Sequence, residues 1–185
     1  GGRRPYAPQT TVMNGDGLLV RVDFAGGKAT LSSRILETPD YVADAATQSE
    51  PALGLLRFHE MGIARVGLLG ARNFLNTALL PAWPAQGGSR ELYLTYDSGR
   101  PFAVDPSSLE VRAPLGDLDF WQSEAFGFLP FPLVLSPAHP SFDPSTGEVW
   151  TINYVRSLES VIFGGQQLGD LPQVKTLSHV LRFAR

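Results

Sequence analysis

His139 stands between two prolines in the stretch Ser136-Pro-Ala-His-Pro-Ser-Phe-Asp-Pro-Ser-Thr-Gly-Glu-Val-Trp150. Pro137 and Pro140 lock their own φ angles and bias the residue before each towards extended geometry, so this imidazole rides on a stiff backbone. A histidine fixed beside a sheet is a candidate metal ligand. The plainer alternative is a loop histidine that hydrogen-bonds its neighbours, and the local sequence leaves both open. Other chemistries are poorly supplied. Cysteine is absent, which removes thiol catalysis, disulfides and thiolate metal sites. No nucleophile–base pair, phosphate-cradling glycine loop or zinc spacing is present.

The elements around His139 must hold it. Asp143-Pro-Ser-Thr-Gly147 reads as a turn: Pro144 presets φ, the Asp143 carboxylate accepts a local N–H, and Gly147 permits positive φ. Glu148–Tyr154 follows as a strand rich in β-branched and aromatic residues. The other two histidines are weaker candidates. His59, in Leu-Arg-Phe-His-Glu, reads as a solvated or capping residue, and His179 reads as the first residue of a strand rather than a ligand.

The chain has 185 residues, 43% hydrophobic and 18% charged, enough for one domain with a true core. Its 19 Gly and 15 Pro punctuate it as many short strands and turns would. A formal charge of −3 argues against a nucleic-acid surface. No apolar run reaches the roughly eighteen residues that span a bilayer, and no apolar signal core opens the chain. The lack of cysteine is compatible with a cytoplasmic location. Both ends read as cut, so residues 1–185 are expected to be one partial domain, truncated on the C-terminal side and at the N-terminus.

In chain order, Asn14-Gly-Asp-Gly17 is a tight turn, and Leu18–Phe24 and Lys28–Leu36 form a hairpin about Ala25-Gly-Gly27. A short helix is expected around Asp40–Thr47. Arg57–Gly70, broken by Gly62, Gly67 and Gly70, reads as a packed connection. Strands are predicted at 76–80, 90–96, 102–104 and 109–111, with Trp83–Gly88 as a loop. Phe120–Leu135 is strongly aromatic, which suits core packing or an apolar wall facing a greasy substrate or membrane. Val104-Asp-Pro-Ser-Ser-Leu-Glu-Val111 and Phe142-Asp-Pro-Ser-Thr-Gly-Glu-Val149 share one pattern 38 residues apart. A period of about forty residues filled with strands is that of propeller blades. The fold class expected is all-β, with antiparallel β-propeller blades.

Taken in order, Asn14-Gly-Asp-Gly17, Arg34-Ile-Leu-Glu-Thr38, Asn76-Thr77, Tyr96–Glu110 and Ala138–Glu148 resemble the N-terminal part of the carotenoid oxygenase family. That family includes the carotenoid cleavage dioxygenases and the retinal-pigment-epithelium retinoid isomerase. The resemblance implies a seven-bladed propeller, of which two or three blades are present, with non-haem Fe(II) on its axis held by four histidines. His139 is then one ligand, and O₂ and an apolar polyene (a carotenoid or apocarotenoid) are the co-substrates. The resemblance also places Asp97 where the family commonly has a glutamate that steadies a ligand histidine, one methylene shorter here; an ordinary turn aspartate is the alternative. No nucleic-acid partner is expected from the charge, and no obligate protein partner is evident in the sequence. Family members often dock on membranes, but no amphipathic helix here commits to that. A competing reading is a non-catalytic module that binds a lipid or protein, or a homologue without metal. Three further histidines beyond Arg185, each at a strand end, would favour the enzyme.

Overall fold

The computed structural model describes residues 14–62, 64–83, 90–125, 127–156 and 176–184. Strands β1 (Leu18–Ala25) and β2 (Lys28–Ile35) form the expected hairpin, its turn made by Gly26 and Gly27 at φ 56° and 72°. Helix α1 (Pro39–Ser49) follows, then a short 3₁₀ segment at Pro51–Leu56. Where one packed connection was expected, three short strands form an antiparallel sheet: β3 (His59–Met61), β4 (Ala64–Gly67) and β5 (Gly70–Ala71). The glycines that argued against a long helix are the places where this chain reverses.

Strands β6 (Ala78–Ala82), β7 (Glu91–Thr95), β8 (Phe102–Val104) and β9 (Val111–Pro114) make a four-stranded antiparallel meander in sequence order, the strand order of one blade. Strands β10 (Ser123–Ala125) and β11 (Leu133–Val134) pair next. A three-stranded sheet of β12 (Ser141–Asp143), β13 (Glu148–Arg156) and β14 (Thr176–Phe183) ends the described chain. All strand pairs named here are antiparallel, and the fold is all-β, with α1 its one α-helix among the described residues. Part of the predicted loop at Trp83–Gly88 lies outside the described residues.

Alternation along β7 and β8 explains how the blade is held. Leu92, Leu94, Phe102 and Val104 point to one side, where Leu36, Leu75, Leu19 and Val111 meet them. Tyr93 and Ala103 point to the other, against Ala82, Leu115 and Val149 of the next sheet. The central strands are therefore buried on both faces, as stacked blades require.

The two repeat copies fold alike. Asp105 Oδ1 accepts the N–H groups of Ser107 (2.7 Å) and Ser108 (3.0 Å), and Asp143 Oδ1 accepts that of Ser145 (2.8 Å). Both carboxyls are held below their ordinary value by these bonds, with the serine hydroxyls the largest contributors. In each turn the fifth residue takes positive φ, Leu109 at 61° and Gly147 at 73°. Leu109 therefore belongs to the turn, and the strand predicted from 109 begins only at Val111. Its buried side chain in the core offsets a left-handed cost of about 1–2 kcal/mol.

Gly70 joins the small sheet to the loop before β11. It sits at φ 118°, and an added Cβ would lie 1.8 Å from the Phe131 carbonyl oxygen. Backbone cannot retreat as a side chain can. In the intact protein Gly70→Ala is expected to cost about 2–4 kcal/mol, read from denaturant midpoints; a change below about 0.5 kcal/mol would show that the Phe131 contact is not maintained.

Candidate functional site

The loop between β11 and β12 is built from the backbone outward. Ser136 is fully buried, and its hydroxyl donates to the Gly99 carbonyl at 2.7 Å while its N–H reaches the Asp97 carbonyl at 3.2 Å. One residue before His139, the Ala138 N–H donates to Asp97 Oδ1 at 3.1 Å, and its carbonyl accepts from Thr95 Oγ1 at 2.5 Å. The loop is thus clasped to the end of β7 and the turn after it, on both sides of Pro137. His139 itself is exposed, on the far side of its buried neighbour Ala138.

Asp97, singled out through the resemblance, and the stretch that carries His139 therefore belong to one clasp. The link runs through backbone: the Asp97 carboxylate caps Ala138. Next to it, Tyr96 is buried with its ring edge-on to Phe74 at 5.3 Å. Burial, and then the Asp97 charge, push its phenol up to about 12, so it stays neutral. Gly99 is required by the same packing, since an added Cβ would fall 2.2 Å from the Asn73 side chain. Asn73 in turn donates to the Arg100 carbonyl at 2.8 Å. A cavity of about 60 Å³ lies between Asn73, Ser98–Arg100, Phe131, Pro132 and Val134; His139 is not among its lining residues.

The clasp makes a distinction that can be tested in the intact protein. A backbone N–H needs an acceptor oxygen, which asparagine also has. Asp97→Asn should leave stability within about 0.5 kcal/mol, whereas Asp97→Ala, stranding the Ala138 N–H, should cost about 1–2 kcal/mol in urea unfolding. Equal losses in both variants would mean that charge, not the cap, is what matters at this position.

The remaining histidines lie on other elements. His59 is exposed on β3, opposite Val66. His179 is not the first residue of a strand, as the sequence suggested, but lies inside β14 opposite Asn153, with its Nε2 buried and, among the described residues, without a hydrogen-bond partner. The strand begins earlier because Thr176–Ser178 continue the pairing with β13. Among the described residues, no group of three or more His, Asp or Glu side chains could hold a metal ion. One exposed imidazole on a fixed loop suits a single ligand of a site completed from elsewhere; it does not make a site alone.

Within Phe120–Leu135, the core reading holds for Trp121, Val134 and Leu135, while Phe120 and Phe128 are exposed. Trp121 stacks on Phe183 at 5.8 Å and donates to the Leu115 carbonyl at 2.9 Å. Among the described residues, no helix is long and apolar enough to cross a membrane.

Sequence reasoning missed the most heavily charged part of the interior. Arg72, fully buried, sends Nε to Asp40 (2.9 Å), Nη1 to Asp44 (2.5 Å) and Nη2 to Asp16. Arg65 binds Asp44 (2.7 Å) and Glu60 (2.8 Å). These pairs fix α1 to β4, β5 and the Asn14–Gly17 turn. The available signal was the spacing of Asp40, Asp44 and Thr47, one face of a helix, facing arginines in a glycine-broken segment.

A family model described as retinal pigment epithelial membrane protein matches residues 3–173. No curated protein sequence matches the chain. Among solved structures, a point mutant of the apocarotenoid oxygenase of Synechocystis is 19% identical over 93% of this chain, with a TM-score of 0.44. A chimera of that oxygenase with RPE65 is 17% identical over 93%, also with a TM-score of 0.44. The chain spans 34% of the length of each of these two structures.

Proposed function

Because the chain belongs to the retinal pigment epithelial membrane protein family, the carotenoid oxygenases, we propose that it is the N-terminal part of a non-haem Fe(II) oxygenase that cleaves a polyene double bond. The observation that carries this reading is the clasp: Asp97, Thr95 and Gly99 immobilise the backbone around His139 and leave its ring exposed. A ligand to a metal shared between blades needs that combination, since the ring must be accessible while its position is set in advance.

In this reading His139 would be one of several imidazole ligands, the others coming from outside residues 1–185. Bound Fe(II) supplies the means to activate O₂. The residues of this chain do the positioning. Pro137 and Pro140 restrict the loop, Ser136 anchors its buried end, and Asp97 fixes the peptide just before the histidine. Asp97 is accordingly a positioning residue, not one that touches substrate. The polyene, O₂, a cytoplasmic location and membrane contact all rest on the family reading.

Incubating the full-length protein with an apocarotenoid and O₂, and analysing products by mass, tests this. Two carbonyl products from one double bond are expected. A double-bond isomer alone would move the protein to the isomerase branch of the family, and no turnover with iron bound would favour a binding module.

A further inference from the structure

A path of side-chain bonds leaves the Asn14–Gly17 turn, crosses β3, β4 and α1, and returns to the same turn. Asn14 Nδ2 donates to Glu60 Oε2, and Glu60 Oε1 accepts from Arg65 Nη1 at 2.8 Å. Arg65 Nε and Nη2 reach Asp44 at 2.7 and 3.1 Å. Asp44 Oδ2 also accepts from Arg72 Nη1 at 2.5 Å, and Arg72 Nη2 donates to Asp16 Oδ1. The two ends of this path are Asn14 Oδ1 and Asp16 Oδ2. They come from residues two apart, both almost wholly buried, and among the described residues neither atom has a hydrogen-bond partner. Asn14 cannot resolve this by turning its amide, because Nδ2 also donates to the Gly62 carbonyl at 3.0 Å.

Charge makes the same point. The groups facing one another are Asp16 from the turn, Asp40 and Asp44 from α1, Glu60 from β3, Arg65 from β4 and Arg72 beside β5. Among the described residues, three buried carboxylates and the exposed Glu60 meet two guanidiniums, so full ionisation would leave negative charge uncompensated in the interior. Burial of that kind is relieved by taking up a proton or a cation. A proton on Asp16 Oδ2, an oxygen with no partner among the described residues, removes one negative charge without a counter-ion. It leaves Oδ1 free for Arg72.

We propose that this assembly stores a proton on Asp16 Oδ2, and that its loss makes the Asn14–Gly17 turn a pH-sensitive clasp. Burial lifts the Asp16 carboxyl from 3.8 to about 6 against the opposing pull of Arg72, and Asp40 is raised by burial as well. An acid raised on folding binds its proton more tightly in the folded state. Its contribution is complete below 3.8 and is lost as pH rises through about 6. The protein should therefore loosen on the alkaline side, opposite to the usual effect of a salt-bridged aspartate.

Asp16→Asn mimics the protonated acid, keeping an oxygen for Arg72 without the charge. In the full-length protein, the folding equilibrium constant of Asp16→Asn relative to wild type should rise about tenfold between pH 5 and pH 8. A ratio constant across that range would overturn the proposal. So would a wild-type loss at pH 8 that potassium or calcium chloride reverses saturably, because a bound cation would then close the path. Should the variant not fold, infrared difference spectra of wild type labelled with ¹³C-aspartate decide the matter. A protonated carboxyl band that fades between pH 5 and pH 8 is expected, and its absence at pH 5 would refute the stored proton.

Discussion

Arg72→Met in the full-length protein is expected to cost about 3–5 kcal/mol, enough to leave most of the chain unfolded or insoluble at 37 °C. The side chain is wholly buried and holds Asp16, Asp40 and Asp44 at once, with Phe74 and Tyr41 rings 5.2 and 5.6 Å from the guanidinium carbon. Methionine fills much of the volume but leaves buried Asp16 and Asp40 without their cation and Asp44 with Arg65 alone. The penalty comes from those stranded acids more than from the lost attraction. Two comparisons separate the terms. Arg72→Lys keeps the charge but cannot reach three partners with one fork, so an intermediate loss is expected. Adding Asp40→Asn to Arg72→Met should recover part of the loss. Chemical denaturation of the soluble fraction measures all three, and an Arg72→Met variant as stable as wild type would mean that the three carboxylates are satisfied in some other way.

The second large effect is chemical rather than structural. His139→Ala in the full-length protein should lower turnover by more than about a thousandfold, roughly 4 kcal/mol of barrier, with stability changed by less than about 0.5 kcal/mol. The two halves of that expectation have different sources. Loss of turnover follows from removing a proposed ligand. Preserved stability follows from the structure, because the ring is exposed while the loop is held through Ser136, Ala138, Thr95 and Asp97. Circular dichroism and denaturant midpoints check the fold; product formation checks the activity. A variant that unfolds would give His139 a packing role that its exposure does not suggest.

The hairpin of β1 and β2, the Asp-Pro turns and the blade strands were legible because each rests on local rules: period-two alternation, glycines at positive φ, and an aspartate capping the two following N–H groups. The clasp was half legible. His139 and Asp97 could be picked out, yet that they meet through the Ala138 N–H depends on long-range packing of two loops. Leu109 was misassigned because leucine rarely takes positive φ, and the burial of its side chain offsets that cost. Helix α1 was faint for a related reason. Its buried stripe is Asp40, Asp44 and Thr47, so a search for an apolar stripe looks past it. The ion network that stripe serves joins residues from 16 to 72, and no short window of sequence contains enough of it to be seen.

Iron counted per chain, in wild-type and His139→Ala full-length protein after dialysis against a chelator, bears most directly on the proposed role of the clasp. About one iron per wild-type chain and little or none in the variant, with both folded, is the expected result. A folded His139→Ala protein that keeps its iron would remove His139 from the metal site and contradict the account.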